Sequence, residues 1–227
     1  HVRRWAVRLL GDKNSVSSST RLALVELART EPDREVRSQL ASSAKRLPAS
    51  QAFPILRELV LRTEDTADKH LPLLLWWAIE SKADTGREEL IALLQEPAIW
   101  QSSLFRTHLA SRIGQRYTAD QGPRKYFTLT GGVYSSWIIE RAPEYLLRNL
   151  HTAAQLLQTA PTPADANLLV KGMAEGLTGR PVDYAPADFK DEVAALWRTQ
   201  KQNVPLMTLA ARIGNPEARE QAIALAE

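Results

Sequence analysis

The feature that most constrains the fold is a short pattern that returns along the chain at a nearly constant spacing. Val2, followed by an arginine, recurs as Val36, again followed by an arginine, which is a shift of 34 positions (36 − 2). Apolar residues continue this register at Leu71 and Phe105, 35 and 34 positions further on (71 − 36 and 105 − 71). A period in this range is typical of stacked helical hairpins, because each hairpin buries its apolar face only against its neighbours. The pattern therefore predicts an architecture, and it identifies no reaction.

Apolar residues at helical spacing, N-capping residues and helix breakers divide the rest of the chain into helices that follow one another in pairs. Gly11 and Pro48 end two of the repeated helices, and Thr162 followed by Pro163 is a strong start signal for a later one. The helix around Leu71 is apolar nearly all round, which indicates packing on both sides. The predicted helices span 2–10, 20–29, 34–47, 52–62, 70–82, 86–95, 103–116, 144–159, 162–177, 187–200 and 204–213, with another opening at 216.

The register fails after Tyr117. The stretch 126–137 has strand-forming residues on both sides of Gly131 and Gly132, which indicates a long loop or a small hairpin between repeats. We therefore expect one continuous all-α solenoid, an α-α superhelix of about six helical hairpins with one irregular insertion. Its parts are repeats over 1–119, the insertion or small hairpin over 120–143, and further helical pairs over 144–227.

Residues that carry chemistry are scarce. The chain has no cysteine, which excludes disulfides, thiolate catalysis, zinc–cysteine sites and covalent haem attachment within these residues. None of the four histidines has a carboxylate or second histidine at a metal-ligand spacing, and the glycine pair lacks the lysine of a phosphate loop. We assign no catalytic, cofactor-binding or metal-binding residue, and we expect no catalytic activity in this segment.

Two groups of residues are candidates for contact with a partner. Loops of repeat proteins often carry their specific contacts, which selects Tyr126, Tyr134 and Trp137 in the insertion. Arg4 and Arg8 belong to an arginine-rich first segment that forms either an anion- or partner-binding ridge or simply a solvated surface with hydrogen bonds between repeats.

The tryptophans in the repeated helices are predicted to be core residues. Trp76 and Trp77 are adjacent, so their side chains point about 100° apart on a helix, one into its own hairpin and one between repeats. Trp5 is expected to pack in the same way.

Charge and hydropathy limit the partners. The net charge is +3, but residues 1–50 carry ten Lys/Arg against five Asp/Glu, and residues 111–180 carry eight against five. The excess is modest, whereas a dedicated nucleic-acid protein more often has one sustained basic face. A protein partner is therefore favoured over nucleic acid. The longest apolar run, 71–79, is shorter than the roughly 20 residues that span a bilayer, so no transmembrane segment is predicted.

Several stretches resemble a known family. The pattern from Val2 to Gly11 looks like the second helix of a HEAT repeat. The stretches 1–12, 36–48, 70–80 and 172–180 are similar to the HEAT-repeat region of large bacterial membrane-bound dehydrogenase-type, c-type-haem-binding multidomain proteins. The resemblance covers most of residues 1–117 and, more loosely, 144–227.

The resemblance implies a HEAT-like fold and an exported, periplasmic parent protein, in which haem c is bound outside this segment. Because the repeated motif already begins at residue 1, we also expect earlier repeats to precede it. The function expected is a non-catalytic scaffold or protein-interaction segment, whose partners are flanking domains of the parent protein or another protein. A second hypothesis, from another class, is a HEAT-like DNA-binding protein or DNA glycosylase. The basic segments and the six tryptophans motivate it.

Overall fold

The computed structural model describes residues 1–119, 124–127, 138–141, 143–179, 182 and 184–225. The first eight α-helices are α1 (Val2–Leu10), α2 (Ser18–Thr30), α3 (Arg34–Ala44), α4 (Ala49–Val60), α5 (Leu71–Glu80), α6 (Arg87–Leu94), α7 (Pro97–Gln101) and α8 (Ala110–Thr118). Five more follow: α9 (Pro143–Gln158), α10 (Pro163–Gly176), α11 (Ala187–Thr199), α12 (Val204–Arg212) and α13 (Pro216–Ala224). Two short strands, β1 (Arg124–Phe127) and β2 (Ile138–Arg141), lie between α8 and α9.

The all-α prediction is confirmed, and most helix boundaries agree with the sequence to within two or three residues. The main difference lies at 97–118, where one helix was expected over 103–116. A short helix, α7, begins at Pro97, and a π-helical turn, Phe105–Leu109, leads into α8. A π turn adds a residue to one helical turn, so its side chains leave the 3.6-residue periodicity on which the prediction relied.

The helices form two rows. The first row consists of α2, α4, α6, α9 and α11, and the second row consists of α1, α3, α5, α8, α10 and α12. Within each row every helix packs against the next member, and helices that are adjacent in the chain connect the rows, as α3 does with α4 and α8 with α9. Each helix inside a row therefore packs against two neighbouring helices of the same row.

Three of the four residues that mark the sequence register belong to the buried core. Val36, Leu71 and Phe105 are almost fully buried, whereas Val2 is 84% exposed. The difference has a simple cause, because in the second row α1 packs against α3 alone, whereas α3, α5 and α8 have a neighbour on each side.

One pair in the second row, α8 and α10, is packed far more closely than the others. A Cβ atom added at Gly172 would lie 1.6 Å from the carbonyl oxygen of Ser111, and one at Gly114 would lie 2.1 Å from that of Leu169. The Thr118 hydroxyl donates a hydrogen bond across the same contact to the carbonyl of Met173, at 3.0 Å. The two helix backbones therefore touch, and only glycine fits at these positions.

The segment between α8 and α9 contains the strand pair. β1 and β2 are antiparallel, with Arg124 opposite Arg141 and Phe127 opposite Ile138. Both strands fall inside the stretch 120–143, for which the sequence predicted an irregular insertion or a small hairpin. The glycine pair expected at its turn lies outside the described residues.

Candidate functional site

A polar cleft opens between α5 and α8, in the second row of helices. Trp76 and Glu80 are four residues apart and therefore share one face of α5, and Arg112 and Arg116 share one face of α8 by the same spacing. The cleft has a volume of about 370 Å³, and its lining consists of Trp76, Glu80, Arg112, Gln115, Arg116 and Ala119. α8, which forms one wall of the cleft, ends at Thr118, and the segment that carries β1 and β2 follows it in the chain.

Arg116 joins the cleft to a hydrogen-bonded cluster behind it. Its Nη2 donates to the Tyr145 hydroxyl at 3.1 Å and to Oδ2 of Asp84 at 3.3 Å. The Tyr145 hydroxyl in turn donates to Oδ1 of Asp84 at 2.9 Å. Burial alone would lower the pKa of Arg116, but the hydrogen bond to Tyr145 and the charges around it outweigh burial, so its pKa lies above the ordinary value. The guanidinium is a fixed positive charge that is only 8% exposed.

Arg87, at the start of α6, holds the other side of this cluster. Its Nη2 donates to Oδ1 of Asn149 at 2.5 Å and to Oδ1 of Asp84 at 3.0 Å, while its Nη1 donates to the Thr152 hydroxyl at 2.6 Å. Its guanidinium also lies over the ring of Tyr117, 5.3 Å from the ring centroid. The loop before α6 and the helices α8 and α9 are thus tied together by one arginine.

Tyr117 closes the cluster from inside the core. Burial raises the pKa of its phenol to about 12, even though the nearby charges of Arg87 and Arg116 act to lower it. The protonated hydroxyl donates a hydrogen bond to the carbonyl of Ala83 at 2.8 Å. This residue therefore connects the end of α8 to the end of α5.

Three buried donors in the cluster have no acceptor among the described residues: Nη1 of Arg116, Nε of Arg87 and Nδ2 of Asn149. A buried donor without a partner costs about 1–3 kcal/mol. The cluster thus has more hydrogen-bond donors than acceptors. No group of three His, Asp or Glu residues within the described ranges is arranged to hold a metal ion.

Two exposed tryptophans lie on second-row helices, each paired with a cation. The guanidinium of Arg8 is 5.1 Å from the ring centroid of Trp5, and Nζ of Lys45 is 5.8 Å from that of Trp77. Trp5 is 51% exposed and Trp77 is 43% exposed, so the prediction that they are core residues is wrong. Trp76 is partly buried and lines the cleft. The sequence could not distinguish these cases, because helical spacing alone does not tell an inner face from an outer one in a long apolar run.

Two of the candidate contact residues proposed from the sequence, Arg4 and Arg8, are not among the residues that line the cleft. Arg4, on α1, pairs with Glu35 on α3 at 3.4 Å, and Arg8 lies over Trp5 on α1. Tyr126 belongs to β1. The other two candidates, Tyr134 and Trp137, lie outside the described residues.

Sequence reasoning missed the cleft itself. The signal available was weak: a tryptophan and a glutamate four residues apart on α5, and two arginines four residues apart on α8. Such spacings are common on solvated helix faces. Only the packing of α5 beside α8 brings these two pairs together.

Comparisons with known proteins add no relative to this picture, since no protein-family model, curated protein or solved structure matches the chain. The resemblance to the HEAT-repeat region of dehydrogenase-type proteins therefore stays a prediction. Across the described residues, the search for a helix long and apolar enough to cross a membrane finds none.

Proposed function

We propose that this chain is a HEAT-like α-solenoid that acts as a non-catalytic binding scaffold, with the second row of helices as its contact surface. The observation that carries the proposal is a set of hydrogen bonds that recurs from one second-row helix to the next. In a solenoid each repeat contacts only its neighbours, so the bonds between neighbours should recur along the chain.

The first recurring bond joins an arginine near the start of a second-row helix to an acid in a later hairpin. Nε of Arg37 donates to Asp65 at 2.6 Å, and both side chains are nearly fully buried. Arg3 bonds Glu31 in the same way at 3.0 Å, with the same separation of 28 residues. A third pair joins Arg106 to Asp165, 59 residues later, where the connection contains the strand pair. The three arginines each follow a residue of the 2, 36, 71 and 105 register, which supports a repeated interface.

The second recurring bond lies at the opposite, C-terminal ends of the second-row helices. A donor at or near the end of one second-row helix bonds a backbone carbonyl at or near the end of the preceding one, where the last carbonyl groups of a helix lack the usual intrahelical partner. The donors and acceptors are Arg46 to Arg8 (3.0 Å), Lys82 to Lys45 (2.5 Å), Tyr117 to Ala83 (2.8 Å) and Arg212 to Leu177 (2.6 Å). At four interfaces between neighbouring helices, an arginine, a lysine or a tyrosine donates the same kind of hydrogen bond to a backbone carbonyl. The geometry therefore recurs although the residue type does not.

A scaffold of this kind would position the flanking domains of a larger exported protein, as the resemblance implies, or a separate protein partner. The exposed tryptophans and the cleft support the second row as the contact surface. Exposed aromatic side chains beside cations are frequent in protein interfaces, where tryptophan and arginine contribute much of the binding energy.

The proposal is tested by lysine cross-linking of the natural full-length protein, followed by mass spectrometry. Lys45 and Lys171 are exposed on second-row helices, and Lys190 and Lys201 are exposed on or beside α11 of the first row. We expect cross-links from residues outside this chain to concentrate on Lys45 and Lys171. Cross-links confined to Lys190 and Lys201, or none to any residue outside the chain, would contradict a scaffold that binds through its second row.

One observation favours the second hypothesis, a DNA-binding protein or DNA glycosylase. The cleft brings a tryptophan, a carboxylate and two arginines together, which are the residue types that such an enzyme requires around an extruded base. Binding of duplex DNA over a series of salt concentrations separates the two hypotheses. A submicromolar Kd that weakens steeply with salt would replace the scaffold proposal, because such a slope measures phosphate neutralisation.

A further inference from the structure

The cleft between α5 and α8 contains charged groups that have no partner within the described part of the chain. Arg112 and Glu80 both line it, on opposite walls, yet neither forms a hydrogen bond or ion pair there. Arg116 lines it as well and keeps one buried donor, Nη1, without an acceptor. Charged side chains that line one concave site without pairing to each other are available to a ligand.

The wall formed by α8 is a set of donors. Arg112 and Arg116 contribute guanidinium groups, and Gln115 between them contributes an amide. A guanidinium presents its donors in a planar fork that matches the two oxygens of a carboxylate, and bonds of this kind are among the strongest polar contacts in proteins. The ring of Trp76 on the facing wall supplies an apolar surface of the size that covers the methylene groups of a side chain.

The charge around the cleft discriminates between a carboxylate and a nucleic-acid backbone. Residues 71–119, which form both walls, carry five Lys/Arg and five Asp/Glu and are therefore neutral in sum (5 − 5). Nucleic-acid binding depends on a basic track that neutralises several phosphates in a row. Here Glu80 stands in the same cleft as the arginines and repels a second anionic group, so the site suits one anion at a time.

We propose that this cleft binds the carboxylate side chain of an aspartate or glutamate on a protein partner, held by Arg112 and Arg116 and covered by Trp76. Glu80, on the opposite wall, then faces the next residues of the partner and favours a neutral or basic neighbour there. The inference rests on the proposed scaffold function and names the chemistry of the partner. It can fail while the scaffold holds, because cross-linking measures where other domains contact the chain and not what fills the cleft.

The experiment is an NMR titration of the 15N-labelled 227-residue chain. The probe is N-acetyl-glutamate N-methylamide, which presents one side-chain carboxylate on a neutral backbone, and its matched control is the glutamine analogue. Inorganic phosphate and a short DNA duplex are titrated separately. The indole N–H signal of Trp76, assigned by its loss in Trp76→Phe, reports occupancy of the cleft.

We expect the glutamate probe to shift the Trp76 signal at millimolar concentrations and the glutamine analogue to leave it unchanged. Arg112→Gln should weaken this binding by about tenfold, since it removes a charge-assisted hydrogen bond. Arg112 is exposed, so its replacement leaves the fold intact, which circular dichroism verifies. Arg219→Gln, the same change on an exposed residue of α13, should have no effect. Glu80→Gln should strengthen binding, because it removes the nearest negative charge.

Three results would overturn the inference. Equal shifts with the glutamate and glutamine probes would mean that the charge of the ligand is not recognised. Stronger binding of phosphate or of the DNA duplex at Trp76 would assign the cleft to a phosphate-bearing partner instead. No shift of the Trp76 signal with any probe would mean that the cleft is not a binding site for anions.

Discussion

Two junctions in the second row of helices solve the same packing problem in different ways. α3 and α5 contain no glycine, so side chains lie between the two helices, and Lys82 bonds across to the carbonyl of Lys45. α8 and α10 meet backbone to backbone, at Gly114 on one helix and Gly172 on the other. The helix spacing is therefore set by side-chain volume at the first junction and by the absence of side chains at the second.

The difference teaches that a repeated register, with repeated polar bonds between neighbouring helices, does not fix the distance between those helices. An arginine–acid pair is present at both junctions, Arg37 with Asp65 at the first and Arg106 with Asp165 at the second. The helix spacing changes nevertheless, at the one place where the chain also carries a strand pair between α8 and α9. Substitutions at these helix contacts test the difference, because each contact should respond differently in the free energy of unfolding.

The largest effect is expected from Gly172→Ala at the α8–α10 junction. The new Cβ would lie 1.6 Å from the Ser111 carbonyl oxygen, so the two backbones would have to separate. We expect a loss of more than about 4 kcal/mol in the free energy of unfolding, beyond ordinary overpacking because the obstacle is backbone. Urea denaturation followed by circular dichroism measures it.

Gly11→Ala is the matched control, at the end of α1. Its φ of −82° suits alanine, and the nearest atom to the new Cβ would be the flexible Arg46 side chain at 3.1 Å. We expect a change within about 1 kcal/mol. If both variants lose the same stability, the backbone contact between α8 and α10 does not account for the loss at Gly172.

A smaller but still large effect is expected from Arg37→Met. The change leaves Asp65 buried without its cation and removes the donor to the carbonyls of Glu31 and Pro32, so we expect a loss of about 3–5 kcal/mol. The same change at Arg106, whose side chain is 39% exposed, should cost less than about 2 kcal/mol.

Thermal and urea unfolding of the two arginine variants give these values. A larger loss at position 106 than at position 37 would reverse our ranking of the two ion pairs. It would place the more important polar bond at the glycine junction.

The smallest effect is expected from Tyr117→Phe, which removes only the hydrogen bond to the Ala83 carbonyl and should cost about 1 kcal/mol at neutral pH. The pKa of Tyr117 is raised to about 12 from an ordinary value of 10.0. Its contribution to stability is therefore complete below pH 10 and is lost as the pH rises from 10 toward 12.

Unfolding free energies of the wild type and of Tyr117→Phe, measured at neutral pH and up to pH 11, test this prediction. The difference between them should shrink as the pH rises. Tyr184→Phe is the control, because Tyr184 is 82% exposed and its loss should change nothing. A constant difference across the pH range would mean that Tyr117 titrates normally.

The helices themselves were predictable, because their signals are local. Ser17, Asp33 and Thr162 accept hydrogen bonds from the first turns of α2, α3 and α10 as side-chain caps, and residues of these types mark helix starts in any sequence. The register of Val36, Leu71 and Phe105 was visible for the same reason, since an apolar residue at a fixed helical position needs no knowledge of its neighbours.

The cleft and the close junction were not predictable, because each depends on which two helices meet. Gly172 and Gly176 lie four residues apart and could have indicated a close contact on one face of α10. No pattern in the neighbouring sequence, however, indicates that α8 is the partner helix. Trp76 gave no sign of lining a site, since it stands in an apolar run whose residues Leu75 and Ile79 are core residues.

By itself, the sequence determined that this chain is helical, where most of its helices begin and end, and which residues repeat. The tertiary structure decided which charges are buried, such as Arg37 with Asp65, and which have no partner among the described residues, such as Arg112 and Glu80. The physical reason is distance: caps and helical periodicity act within a few residues. Burial and pairing of charge depend on groups that are 28 or 59 residues apart in the chain.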